Sequence, residues 1–240
     1  MVLPTKSRTA AGPRAASTES GPALSREAVI DHALDLADRE GLAAVSIRRI
    51  AQDFGVTPMA LYWHVKNKDE LLAAMGDRIV DSVELPELAV DGGLQRLRPL
   101  LERLVAALAR HPASTPLVQA RILHCDTGRT LTEQALTILA DAGFDTRRRA
   151  ELSRAALQSV VMLVVGAPGA EIDVPEVERQ AMRERKQQML AGLPVDRYPL
   201  LIDSAAAMFD CDPATYYADG IELFLAGVTA LAARREHRPA

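Results

Sequence analysis

Aromatic side chains are scarce in this 240-residue chain: four Phe, four Tyr and one Trp, 4% of the residues. Sheets draw heavily on aromatic and β-branched residues, so an Ala/Leu/Val-rich chain predicts helices instead. Only two cysteines occur, Cys125 and Cys211, far apart in sequence. That predicts a reduced, cytoplasmic protein and not a disulfide scaffold. No uncharged apolar run reaches membrane-spanning length, about 18 residues or more, and the N-terminus lacks the apolar core of a signal peptide. GxSxG, P-loop and GxGxxG motifs are also missing, so nothing in the chain argues for an enzyme. The net charge of −4 gives no global pull toward nucleic acid; any such site must be a local patch.

What is present supports a large helical protein. Hydrophobic residues reach 48%, enough for a well-buried core. Residues 1–23 are rich in Ala, Ser, Thr, Gly and Pro without apolar periodicity, and read as a disordered tail. Lys6, Arg8 and Arg14 against Glu19 leave open a basic arm that touches DNA phosphates. Order is expected from Leu24-Ser25, where Ser25 can cap a helix whose face is Val29, Ala33, Leu36 and Ala37 and which Gly41 closes. A second helix follows Ser46, with Ile47, Ile50, Ala51 and Phe54 as its apolar positions. After the turn Gly55-Val56, Thr57-Pro58 is a cap-plus-proline helix start. Asn67 and Glu70 have capping-box spacing and open a fourth helix through about Val83. Further helices are expected near 94–110, 115–124, 130–142, 146–166, 175–191, 199–209 and 213–235, so the architecture is all-α.

Two short helices joined by Gly-Val form a helix-turn-helix, whose second helix enters the major groove. In the stretch LYWHVKNK, Leu61 and Val65 are four apart and face inward, so Tyr62, Trp63 and His64 cannot all follow them. Polar-tipped rings can meet phosphate oxygens and pack on sugars. Between residues 42 and 68 four cations (Arg48, Arg49, Lys66, Lys68) stand against Asp53, a local excess of three. Lys68 sits at a helix start, where an ammonium and free amides can share a phosphate. The competing structural reading makes Trp63 a core anchor and the lysines ordinary surface.

The run VSIRRIAQDFGVTPMALYWHVKNKDELL resembles the DNA-binding domain of the tetracycline-repressor (TetR) family, and LYWHVKNK is most similar to its tetracycline-responsive branch. More loosely, Ala142-Gly143-Phe144, Gly166, Glu171 and YPLLIDSAAAMFD fall in the order of that branch. The resemblance implies a homodimer that reads a palindromic double-stranded DNA operator and lets go when a small-molecule effector binds the C-terminal helices. It further implies a base-reading role for Arg48 and phosphate contacts for Tyr62, His64 and Lys68, with Thr57, Pro58, Met59, Ala60 and Trp63 completing the surface. Pro58, Met59 and Ala60 depart from the polar residues of the tetracycline members and suit thymine methyls. The chain is thereby divided into a tail (1–23), a DNA-binding domain (24–83) and an effector-binding and dimerisation domain (84–240).

The effector pocket is expected within residues 94–166. Its expected walls are Leu101, Leu104, Leu123, Leu139, Met162 and Val165, with His124 and Thr127 as polar groups and Glu171 reaching across the dimer. Tetracycline repressors hold a drug–magnesium complex with His-x-x-Thr in about this region. However, consecutive helix-end side chains diverge and no second His/Cys pair exists, so no metal and no cofactor are expected. Dimerisation is expected through Leu152, Ala156, Ser159, Val160 and Leu163 on one helix and Tyr217, Ile221, Phe224, Leu225, Val228 and Leu231 on the last. The alternative function is a helical small-molecule-binding protein or enzyme with an incidental helix-turn-helix.

Overall fold

The computed structural model describes residues 24–167 and 176–236, which form eleven α-helices and no strand. The tail and Glu171 lie outside the described residues. Among those described, no helix is long and apolar enough to cross a membrane.

The first four helices are set by their caps. Helix α1 (Arg26–Glu40) starts where Ser25 accepts the Ala28 amide and ends at Gly41, whose φ of 79° few side chains tolerate. Helix α2 (Ile47–Asp53) starts at Ser46, and the five-residue α3 (Pro58–Tyr62) at Thr57 with a proline in its first turn. Helix α4 (Lys68–Asp81) starts where Asn67 accepts the Glu70 amide. The expected capping box is only half made, because the Glu70 carboxylate accepts from Lys66 N at 2.9 Å. Leu34, Leu36, Ile50, Leu61, Val65, Leu71 and Met75 close the core between these four helices.

Helix α4 then carries the chain into the larger part. It packs most extensively against α6 (Thr115–Arg121), and also against α5 (Leu97–Leu108) and α7 (Asp126–Asp141). Helix α8 (Thr146–Val165) lies across α5, α6 and α7, and α11 (Pro213–Glu236) crosses α8 and α5. Helices α9 (Glu176–Ala191) and α10 (Pro199–Phe209) pack chiefly on each other.

The stripes expected to dimerise are largely core of the single chain. Leu152, Ala156, Val160, Ile221, Leu225 and Val228 are all buried, and Leu163 lies against Gly220 where α8 and α11 cross. Each of these helices has two apolar faces, and the more apolar one is taken up by the monomer. What it leaves exposed is Ala155, Met162 and Val165 on α8 and Leu223, Ala226 and Ala230 on α11.

Candidate functional site

The short third helix presents a surface and buries little. Leu61 and Val65 are fully buried, while Met59 is 68%, Tyr62 47% and Trp63 87% exposed. The core-anchor reading of Trp63 therefore fails. Pro58 is exposed and Ala60 and His64 are half-buried. Thr57 is committed to its own helix, its hydroxyl accepting the Ala60 amide. Tyr62 ends α3, and Trp63 and His64 form the turn after it, so the three rings leave the helix in different directions.

That turn is braced from below. Arg26 of α1 donates to the His64 carbonyl at 2.6 Å and to Glu70 at 3.0 Å. The amide of Lys66, and then the Arg26 guanidinium, hold the Glu70 carboxyl below its ordinary range. Lys66 and Lys68 stay exposed beside it.

Arg48 and Arg49 separate sharply. Arg49 donates to both Glu40 oxygens at 2.6 and 2.8 Å and to Asp53 at 3.0 Å, which ties α2 to the end of α1. The Glu40 and Asp53 hydrogen bonds raise its pKa further. His32 adds a 2.9 Å contact to Asp53, whose pKa falls chiefly through that bond and then through Arg49. Arg49 is thus a structural cation, and the free positive charge near α3 reduces to Arg48, Lys66 and Lys68. Arg48 is exposed and has no ion-pair partner among the described residues.

The larger part holds a half-open cavity of about 450 Å³ between α5, α6, α7 and α8. Leu101, Leu104 and Leu123 line it as expected. His124, Thr127, Leu139, Met162 and Val165 do not: His124 is exposed at the α6–α7 turn, Leu139 is packed in the core, and Met162 and Val165 point away from it, exposed. Walls that sequence reasoning missed include Leu100, Leu131, Ala135, Leu136 and Leu157, with Gln119, Thr132, Ser153 and Arg154 as polar groups. The α8 members Ala150, Ser153, Arg154 and Leu157 recur at helical spacing, which was a usable signal. A similar-sized hollow along the outside of α7 is an open groove.

One element joins the cavity to the helix that follows the exposed α3 turn. Helix α6 and the turn after it contribute Gln119, Ile122 and Leu123 to the cavity wall, while Arg121 makes a two-pronged ion pair with Asp77 of α4 at 2.8 and 2.7 Å. Gly76 lets α4 come this close, since a Cβ there would lie 2.8 Å from Arg121 Cγ and 3.2 Å from the Leu117 carbonyl. The same α4 begins at Lys68.

Comparison with known proteins places these features. The family model described as "Bacterial regulatory proteins, tetR family" matches residues 29–75, the span from α1 through most of α4. The chain belongs to the TetR family. HTH-type transcriptional repressor DrrR1 of Streptomyces coeruleorubidus is 28% identical over 225 residues, 89% of this chain and 80% of that protein. Tetracycline repressor protein class D of Escherichia coli is 46% identical, but over 57 residues, 24% of this chain and 26% of the repressor. The 46% identity is thus local, whereas tetracycline repressor protein class E of Escherichia coli is 28% identical over 229 residues, 90% of this chain and 96% of that repressor. In fold, the TetR protein ActR of Streptomyces coelicolor in complex with actinorhodin superposes with a TM-score of 0.69 at 24% identity, over 88% of this chain and 99% of that one. This TetR-family chain is therefore a transcriptional regulator built as a helix-turn-helix unit followed by a larger helical part.

Proposed function

We propose that this regulator binds a palindromic duplex operator as a homodimer and releases it when a small apolar effector fills the α5–α8 cavity. Residues 24–83 then form the DNA-binding domain and the rest of the described chain the effector-binding and dimerisation domain. Arg48 reads a base edge, Pro58, Met59 and Ala60 meet thymine methyls, and Tyr62, Trp63, His64 and Lys68 hold the backbone. The exposed apolar stripes of α8 and α11 meet their copies across a two-fold axis, which sets two recognition helices about 34–36 Å apart.

The observation that carries this reading is the double duty of α6. Its C-terminal end walls the cavity while Arg121 clamps it to Asp77 of α4. A ligand that displaces that wall moves α4, and with it the braced turn carrying Tyr62, Trp63 and His64. Repression is lost only if the ligand favours the displaced state, because equal affinity for both states shifts nothing. The structural relative ActR is described in complexes with actinorhodin and (S)-DNPA, which supports a cavity of this kind as a ligand site.

The test begins with selection of bound sites from random duplex DNA. A two-fold symmetric site that is bound in a salt-sensitive manner is expected; recovery of no sequence preference would sink the proposal and favour a ligand-binding protein with an incidental helix-turn-helix. Compounds are then titrated against the complex with magnesium or with chelator. Release that needs magnesium and disappears in His124→Ala would overturn the metal-free mechanism.

A further inference from the structure

We propose that the effector is an organic acid: an apolar body carrying one anionic group, of carboxylate chemistry, that docks on Arg154. This inference rests on the reading of the α5–α8 cavity as the effector site, and it narrows what that site accepts.

The lining is lopsided in its chemistry. Twelve of its side chains are aliphatic and four are polar: Gln119, Thr132, Ser153 and Arg154. Arg154 is the sole charged member, and α5, α6 and α7 contribute no acid to the wall. On α8 itself the nearest carboxylate one turn back, Glu151, is already taken by Arg147 at 3.0 Å and Arg148 at 3.1 Å. Those two arginines hold its carboxyl below the ordinary range, so it stays charged and committed. Arg149 reaches only the Thr146 hydroxyl. Arg154 therefore has no ion-pair partner among the described residues, although it stands at the edge of a largely aliphatic cavity.

The other polar groups fit the same ligand. Thr132 spends its proton on the Gly128 carbonyl at 2.8 Å, so the donors left for a ligand are the Gln119 amide, the Ser153 hydroxyl next to Arg154, and the guanidinium. A neutral ligand filling this space would strip water from the guanidinium without replacing it, and a cationic one would add repulsion. A carboxylate accepts two parallel N–H bonds from the planar fork and restores the lost hydration. Arg154 is exposed, so solvent screening tempers the effect. The cavity volume of about 450 Å³ suits a molecule of drug size.

A matched pair of fluorescent probes tests this directly. 8-Anilinonaphthalene-1-sulfonate and N-phenyl-1-naphthylamine share a ring system and differ by the sulfonate. The full-length protein should bind the sulfonate at least about tenfold more tightly, the scale of one charge-assisted hydrogen-bond pair. Arg154→Gln should erase that preference, weakening the sulfonate while binding the neutral probe at least as tightly as wild type does, and Arg154→Lys should keep most of it. Decanoate should displace the sulfonate better than decanol does in wild type but not in Arg154→Gln. Ala135→Trp, or Leu136→Trp if the first does not fold, should expel both probes. If the cavity-filling variants expel the probes but Arg154→Gln leaves the preference intact, the acid inference is wrong and the cavity stands. Probes that stay bound in the filled variants would refute the effector-site reading itself, and the inference with it.

Discussion

Gly128 lies in the first turn of α7, where the chain folds back under α6 and touches α4. A Cβ built there would sit 1.8 Å from the Ile122 carbonyl oxygen, 2.8 Å from its carbon and 3.0 Å from Val80 Cγ1. An ordinary C···O contact is about 3.3 Å or more, so the corner must retreat by about 1.5 Å. Two effects of Gly128→Ala oppose each other. Alanine is the better helix former by about 1 kcal/mol at most in a helix interior. Against it stands overpacking, typically about 1–3 kcal/mol and more where a backbone cannot yield. Here the obstruction is the carbonyl of Ile122, itself a cavity wall, so the upper end applies. The net expectation is a loss of about 2 kcal/mol or more, a fall in Tm of about 4–8 °C for a chain of this size. Differential scanning calorimetry, with chemical denaturation as a check on two-state behaviour, reads it. A variant as stable as wild type, or stabilised by its alanine, would refute the claim that this corner has no spare room.

Three more outcomes follow from the same geometry. Arg48→Ala should relax specificity at one operator base pair by about 1–3 kcal/mol, whereas Lys68→Ala should weaken all sequences alike and flatten the salt dependence in gel shifts. Leu223→Glu, placing a charge on the exposed α11 stripe, should give a monomeric mass by light scattering with helical content retained; an unchanged dimer would move the interface elsewhere. Glu70 has its pKa lowered by the Lys66 amide and Arg26, so its contribution is present above the unfolded value of about 4.3 and is lost as pH falls through the folded one. The stability gap between wild type and Glu70→Gln should hold near neutral pH and close in acid, as read from denaturation midpoints.

Local chemistry was legible in the sequence because caps act over three residues. Ser25, Ser46, Thr57 and Asn67 each receive the backbone amide their spacing predicts. Helix α7 was harder: it begins at Asp126, ahead of the expected start near residue 130, and Gly128 in its first turn sits against the Ile122 carbonyl at the end of α6. The cavity was half legible. Periodicity identifies the leucines of α5, but which side of α8 faces a groove depends on how three helices cross, and no single helix encodes that. His124, expected in the pocket, lies outside it, whereas Arg154, which was not among the expected residues, stands at the cavity edge beside aliphatic walls. Arg49 erred the other way, counted toward the DNA patch but held by Glu40 and Asp53.

The same crossing geometry limits how a ligand can act. Of the four helices around the cavity α6 is the shortest, seven residues that pack on both α8 and α4 and end in the turn to α7. Its grip on α4 is a two-pronged ion pair whose side chains are 25% and 31% exposed, sheltered enough to hold direction but not so buried that breaking it would unfold the corner. Arg121 is therefore better suited to transmit a shift than to store energy. The apolar packing of Leu117 and Val118 beside Gly76 sets how far the shift reaches. On this view the Asp77–Arg121 pair governs the coupling between ligand and DNA, while affinity for each alone resides elsewhere: in the leucines of the cavity, and in Arg48, Lys68 and the exposed rings of the α3 turn.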